Sequence, residues 1–260
     1  MGEQKTPEEY ASKELNKSLG KAIASRQLEI KKLEAKIKKI NKEIEKIKNG
    51  ELVPEDNESS SSFHTRVQFI LDESGSMCSQ HKQTVDGFNE YIQKLKKDKC
   101  DISLTLTKFN DNVNVVYKNK KIADVKELSM RDYNPDMCTA LYDAIGMTAQ
   151  KLGKIKDNEK VLFIIITDGY ENASKEFKLV DIKALIKDKE KEGWTFTFLG
   201  GDLDAAKEGG KLGVCSLNAM SFKSGEIRNV MSGLSRNTLA YAQSSSRVTS
   251  NFFRSKNGKK

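Results

Sequence analysis

Residues 67–77 read VQFILDESGSM, an apolar run that stops at an aspartate and offers two serines at alternate positions before the chain turns. The run has the length and the β-branched and aromatic content of a buried strand. Its end gathers Asp72, Ser74 and Ser76, three oxygen donors with no soft ligand among them. Hard oxygen donors crowded into one turn suit a hard divalent cation such as Mg²⁺ better than zinc or copper. The same residues also suit a strand-to-helix turn in which serines cap the next helix. Taken alone, the segment leaves both readings open.

The rest of the chain bears on that choice. A second apolar run, VLFIIIT at 161–167, ends in Asp168-Gly169, so another carboxylate follows a buried strand. Between the two runs lies Thr139 in MCTALYDAIG, at the expected start of a helix with Leu141, Ala144, Ile145 and Thr148 on one face. In an open parallel α/β sheet, the loops after the carboxyl ends of the strands gather along one edge, where such folds bind ligands. Asp72, Ser74, Ser76, Thr139 and Asp168 are therefore expected to converge from three loops, with waters completing an octahedral Mg²⁺ shell.

These residues and their order resemble the von Willebrand factor A (vWA) domain and its metal-ion-dependent adhesion site (MIDAS). The family's D-x-S-x-S corresponds to Asp72, Ser74 and Ser76, its threonine to Thr139, and its later aspartate to Asp168 in ITDG. The resemblance covers roughly residues 64–240, and the wording around the motif (GFNEYI, TALYDAIG, TDGYENAS) is nearer to stand-alone bacterial and bacteriophage members than to integrin I domains. It implies that the serines and threonine contact the metal directly and that the aspartates often act through water. It also implies that a partner's carboxylate fills the remaining position. The implied ion is Mg²⁺, with Mn²⁺ or Ca²⁺ as alternatives.

Alternating strand and helix patterns predict a doubly wound, mostly parallel six-stranded sheet, Rossmann-like in layout. Strands are expected near 66–71, 102–109, 113–117, 161–167, 194–199 and 218–222, and helices near 82–97, 139–152, 175–192, 203–212 and 224–242. Asn110-Asp111-Asn112 suits a hairpin that makes 113–117 an antiparallel edge. Trp194 and the phenylalanines after it read as core. Cys78 and Cys138 fall near the site and read as small buried hydrophobes. All four cysteines are expected to be reduced.

The chain divides into an N-terminal helix over 1–50, a flexible linker over 51–63, the vWA-like domain over 64–242 and a basic tail over 243–260. Thr6-Pro7-Glu8-Glu9 starts the helix and Asn49-Gly50 stops it. Ile23, Ile30, Ile37 and Ile44 recur every seven residues, with Leu33, Ile40 and Ile47 in the alternate seam, a coiled-coil register that favours a homo-oligomer formed through residues 23–47. The acidic, serine-rich segment ELVPEDNESSSSF would then let each domain face outward, so that weak contacts multiply by avidity.

The net charge of +8 resides in the ends. Residues 1–50 hold 13 Lys and Arg against 8 Asp and Glu, residues 243–260 hold 5 against none, and the stretch between holds 27 against 29. A near-neutral centre is no electrostatic footprint for a polyphosphate. A nucleic-acid-associated assembly role through the basic ends is the second reading, and a steep fall of affinity with salt would mark it. A metal-assisted hydrolase is the third, and it wants a phosphate cradle and an activating base that the chain does not supply. No run of about 20 apolar residues suggests a membrane span, and the N-terminus has no apolar leader. The expected location is the cytoplasm, or the virion for a phage-encoded chain. The expected function is a non-catalytic, Mg²⁺-dependent module that binds an acidic residue of a protein partner.

Overall fold

A computed structural model describes residues 63–253 together with ten separate positions between Gly20 and Asn41. Those ten positions have helical backbone and are exposed, and they belong to a unit, residues 1–58, that is distinct from the unit 59–260. The remainder of the expected helix over 1–50, the linker up to residue 62 and the tail from Arg254 onward lie outside the described residues.

Within the second unit, β1 (His64–Asp72), β2 (Ile102–Phe109), β3 (Val113–Lys121), β4 (Glu159–Thr167), β5 (Trp194–Gly201) and β6 (Ala219–Phe222) form one sheet in the order β3-β2-β1-β4-β5-β6. The pairings of β1 with β2 and β4, of β4 with β5 and of β5 with β6 are parallel. β3 runs antiparallel to β2, so the sheet is mixed, with the antiparallel strand on the edge expected for it. The hairpin is closed by Asn110 itself, whose backbone N–H donates to Asn112 O (3.1 Å) and whose side-chain oxygen accepts from Asn112 N (3.0 Å).

The central strands are buried on both faces, which is why Phe69–Leu71 of β1 and Val161–Ile166 of β4 read as continuous apolar runs. Val67, Phe69 and Leu71 pack with α1 (His81–Lys96) and α5 (Ile227–Gln243) in one cluster. Ile70, Phe163 and Ile165 pack with α2 (Leu141–Leu152), α3 (Leu179–Lys191) and α4 (Ala205–Leu212) in the other. Trp194 is in this second cluster, stacked on Phe163 with ring centroids 5.4 Å apart.

Four of the five helices start two to four residues later than their sequence pattern suggests, and before α2 and α3 a long-range bond takes the backbone first. The stretch before α2 is irregular because Thr139 N donates to Asn172 Oδ1 (2.8 Å) and Ala140 N to Asn110 O (2.7 Å). Thr139 therefore stands two residues ahead of the helix rather than in its first turn. The expected start of α3 at residue 175 is displaced to Leu179 because the Asp143 carboxylate accepts from the backbone N–H groups of Lys175 (2.7 Å), Glu176 (3.0 Å) and Phe177 (2.8 Å). Phe177 is thereby laid across Gly146 of α2.

Of the expected basic tail, residues 244–253 lie against the domain. Lys160 Nζ donates to Tyr241 O and Ser244 O (both 2.6 Å), Arg247 Nη2 donates to Glu159 O (2.8 Å), and Phe252 is buried beside Tyr241. Residues from the last strands and this segment thus close the end of the sheet remote from Asp72.

A Cβ at Gly146 would lie 2.6 Å from the Phe177 ring, closer than real side chains approach. Gly146→Ala is expected to lower stability by about 1–3 kcal/mol, measured by urea unfolding, and Phe177→Leu in the same chain is expected to restore part of the loss.

Candidate metal centre

The order of strands reverses between β1 and β4, so the chain leaves their carboxyl ends toward opposite faces and a crevice opens between them. Asp72 ends β1 with no solvent exposure. Its Oδ1 accepts from Ser74 N (2.7 Å) and its Oδ2 from the Thr167 hydroxyl (2.5 Å), the last residue of β4. Ser74 is buried and its Oγ lies 3.0 Å from Ser76 Oγ. The exposed Ser76 hydroxyl donates in turn to Asp168 Oδ1. Asp168 Oδ2 accepts from Gln80 Nε2 (2.9 Å).

Thr139 joins this chain of oxygens at Gly169. A Cβ built there would sit 2.7 Å from Thr139 Oγ1 and 3.4 Å from Ser76 Oγ, so both hydroxyls border one point above a residue that has to be glycine. The five residues singled out in the sequence are therefore brought together, four by direct hydrogen bonds and the fifth across Gly169.

Further residues hold the five in place. Asn172 grips Thr139 reciprocally, its side chain accepting from Thr139 N and its own N–H donating to Thr139 O (3.0 Å). Glu171 accepts from Tyr142 N (2.9 Å), Ala173 N (3.0 Å) and Ser174 N (2.8 Å), tying the loop after β4 to the start of α2. Glu73 turns away from the crevice and pairs with Lys108 at 2.7 Å, both largely buried, while also accepting from Asn134 N (2.6 Å). Tyr133 donates its hydroxyl to Asp72 O (2.5 Å). Gln80, Thr167 and Tyr133 carry no local sequence signal for these roles, because each acts on a residue 61 to 95 positions away. Asp136 and Cys138 stay exposed at the rim, as does Cys78, so neither cysteine is the buried hydrophobe expected.

Among the described residues, no cationic side chain bonds either aspartate. Burial pushes the Asp72 carboxyl up to about 6 against the opposing hydrogen bonds of Thr167 and Ser74, with the nearby Asp168 charge adding to the rise. Asp168 is raised as well, first by burial and in part by Asp202. The pair thus lacks positive charge. The described residues contain no group of three or more His, Cys, Asp or Glu side chains able to hold a metal alone. A metal would have to draw on hydroxyls and water beside the two carboxylates. Two carboxylates and three hydroxyls, with no sulfur or imidazole, fit a hard dication of the Mg²⁺ type.

A family model described as the von Willebrand factor type A domain matches residues 67–229, more than half of the chain. No curated protein shows a significant sequence match. Among solved structures, proximal thread matrix protein 1 from the mussel byssus superposes with a TM-score of 0.53 at 15% identity, over 68% of this chain and 46% of that one. The vWF domain of the type V pili tip protein Mfa5 from Porphyromonas gingivalis gives 0.51 at 9% identity, over 70% and 97%. The pilus adhesin SpaC from Lactobacillus rhamnosus GG, in an open conformation, gives 0.55 at 11%, over 66% and 30%. The chain thus spans less than half of the byssus protein and of SpaC, and at these identities the likeness is one of fold.

Asp72→Asn tests the electrostatics directly. The introduced amide would donate to Thr167 Oγ1, whose proton is free to turn to Gly169 O, 3.1 Å away. With metal stripped by EDTA, a folded carboxyl raised from 3.8 to about 6 disfavours the folded state wherever Asp72 is ionised. Its penalty is absent below the unfolded value, grows as pH rises through the folded one, and is about 3 kcal/mol at pH 7. The variant is therefore expected to melt higher than the parent at pH 7 in EDTA and to lose that advantage below about pH 4, as followed by thermal unfolding across pH.

Proposed function

Because the chain belongs to the von Willebrand factor type A domain family, we propose that it is a non-catalytic protein-interaction module whose crevice between β1 and β4 holds a Mg²⁺ ion and, through it, a carboxylate of a protein partner. The observation that carries this reading is the meeting of Asp72, Ser74, Ser76, Thr139 and Asp168 with no cationic side chain among the described residues to balance the two carboxylates. Ser74, Ser76 and Thr139 would contribute hydroxyl oxygens, Asp72 and Asp168 the negative charge, and Mn²⁺ or Ca²⁺ would be accepted in place of Mg²⁺. The ion, when bound, supplies the positive charge that lets an acidic partner residue leave water.

The rim is suited to a partner. Met137 immediately precedes Cys138-Thr139 and Tyr170 immediately follows Gly169, and each is 62% exposed. Met137 has a left-handed backbone (φ 65°), a conformation that costs a non-glycine residue roughly 1–2 kcal/mol, and the Asp136 carboxylate accepts its N–H at 2.7 Å. Two exposed apolar side chains flanking a polar centre supply the anchor residues that charge alone lacks. The names of the pilus adhesin and the pilus tip protein agree with an interaction role for this fold.

The chain would reach its partner as an oligomer. Ile23, Ile30 and Ile37, seven residues apart, are helical and 49%, 53% and 57% exposed, a seam that a second copy of the helix would cover.

Calorimetric titration tests the ion. The full chain is expected to bind Mg²⁺ and Mn²⁺, with affinity lost by at least about a hundredfold in Asp72→Ala and by about tenfold or more in Thr139→Ala. Unchanged binding in both variants sinks the reading. Light scattering tests the assembly: the parent is expected above monomer mass, and Ile30→Asp with Ile37→Asp at monomer mass with the metal titration unaltered.

A further inference from the structure

The strand that ends at the aspartate crevice begins beside a second polar place. On the α2 side of the sheet a cavity of about 270 Å³ lies between the last turn of α2 and strands β1, β2 and β3. Its floor holds Arg66 and Gln68 of β1, which are 9% and 1% exposed. Gln68 Nε2 and Arg66 Nε are buried there with no hydrogen-bond partner among the described residues. The rest of the Arg66 guanidinium is committed, Nη2 to Leu152 O (2.9 Å) and Nη1 to Glu159 (3.4 Å), so Nε–H is the donor of this group left without a partner among the described residues.

The hydroxyls add donors. Thr107 Oγ1 accepts from Thr148 (3.0 Å) and Thr105 Oγ1 accepts from Asn119 N (3.0 Å), and each keeps its own proton to give. At the mouth stand two exposed lysines, Lys118 and Lys151. The carboxylate touching this group, Glu159, is already engaged by Arg66 and by Lys156 N (3.0 Å). The cavity therefore has donors and positive charge in excess, whereas the crevice at the other end of β1 has the opposite excess.

We propose that this cavity binds a small organic carboxylate. Two ligand oxygens accept from Gln68 Nε2 and Arg66 Nε, a short carbon chain lies along Leu152, Val115 and the threonine methyls, and the two lysines attract the charge at the mouth. A free phosphate fits less well, because the floor guanidinium is already paired with Glu159 and the remaining hydroxyl donors are neutral, so little charge there balances a dianion. Gln68 precedes Asp72 by four residues of extended chain, about 13 Å, so the site stands apart from the metal reading and does not rest on it.

The test is a ¹H–¹⁵N NMR titration of the full chain in EDTA, which keeps any metal-bound carboxylate out of the result. Propionate and succinate are the probes, with propionamide, inorganic phosphate and sodium chloride at matched ionic strength beside them. The expected result is saturable shifts of the Gln68 side-chain amide and the Arg66 Nε–H with a carboxylate. Propionamide is expected to bind more weakly by about tenfold or more, and Lys118→Glu with Lys151→Glu, both at exposed positions, to weaken the carboxylate by a similar factor. Gln68→Leu is expected to abolish the shifts. Shifts that merely follow ionic strength overturn the proposal and leave a water-filled cavity; saturation by phosphate alone, or carboxylate affinity unchanged in the lysine variants, overturns it equally.

Discussion

The reversal of strand order at β1 is the constraint on which the rest of this domain depends. Because β1 pairs in parallel with β2 on one side and β4 on the other, the turns leaving β1 and β4 part toward opposite faces and cannot cover the gap between them. A carboxylate at that gap is out of solvent, with the exposed Ser76 close by. Asp72 occupies this position, held by a hydroxyl from the neighbouring strand and a backbone N–H from its own turn rather than by a basic residue. Had a lysine closed on Asp72, an ordinary buried ion pair would have resulted, and the crevice would ask for nothing. The chain does build such a pair one residue later, between Glu73 and Lys108, pointing away from the crevice. Adjacent acidic residues thus have opposite fates: one is neutralised inside the fold and the other is left in want of a cation.

The loops that carry the oxygens are held by polar bonds between loops rather than by regular structure. Asn172 and Thr139 exchange two hydrogen bonds, Glu171 gathers the N–H groups of Tyr142, Ala173 and Ser174, and Asp143 gathers those of residues 175–177. A carboxylate accepting several backbone N–H groups fixes a loop more firmly than apolar contact does, because each bond also sets a direction. The arrangement leaves Thr139, Ser76 and Asp168 pre-positioned around Gly169, so little ordering remains to oppose occupancy of the site.

Much of this was legible in the chain. The sheet with its antiparallel edge followed from apolar runs and the Asn110 hairpin, and the spacing of Asp72-Glu73-Ser74-Gly75-Ser76 put three oxygen-bearing side chains in one turn while leaving a helix-capping turn equally open. Asp168 was legible because it ends a second buried run. Local patterns misled where remote atoms compete for the same backbone groups. The helical pattern before Leu141 and Leu179 yields to Asn110, Asn172 and Asp143, whose positions are set only by the fold. The supporting roles of Thr167, Gln80 and Glu171 were hidden for the same reason. A threonine ending a strand looks like any other until the neighbouring strand is known.

The two ends of β1 show the fold tolerating opposite electrostatic demands on a single strand. A central parallel strand usually reads as apolar throughout, yet HTRVQFILD opens with His64, Thr65 and Arg66, carries Gln68 after Val67, and turns apolar only from Phe69. Arg66 and Gln68 project to the side where α2 is ending, so they border a cavity instead of a packed helix. Burying their unpaired donors against protein would cost about 1–3 kcal/mol each, whereas a cavity large enough for water or an acceptor-bearing ligand removes much of that cost. The apolar half coincides with the stretch where helices cover both faces and water has no entry. On the α2 face of β1, polarity therefore tracks what lies over each residue, with Arg66 and Gln68 beside the cavity and Ile70 beneath the helices.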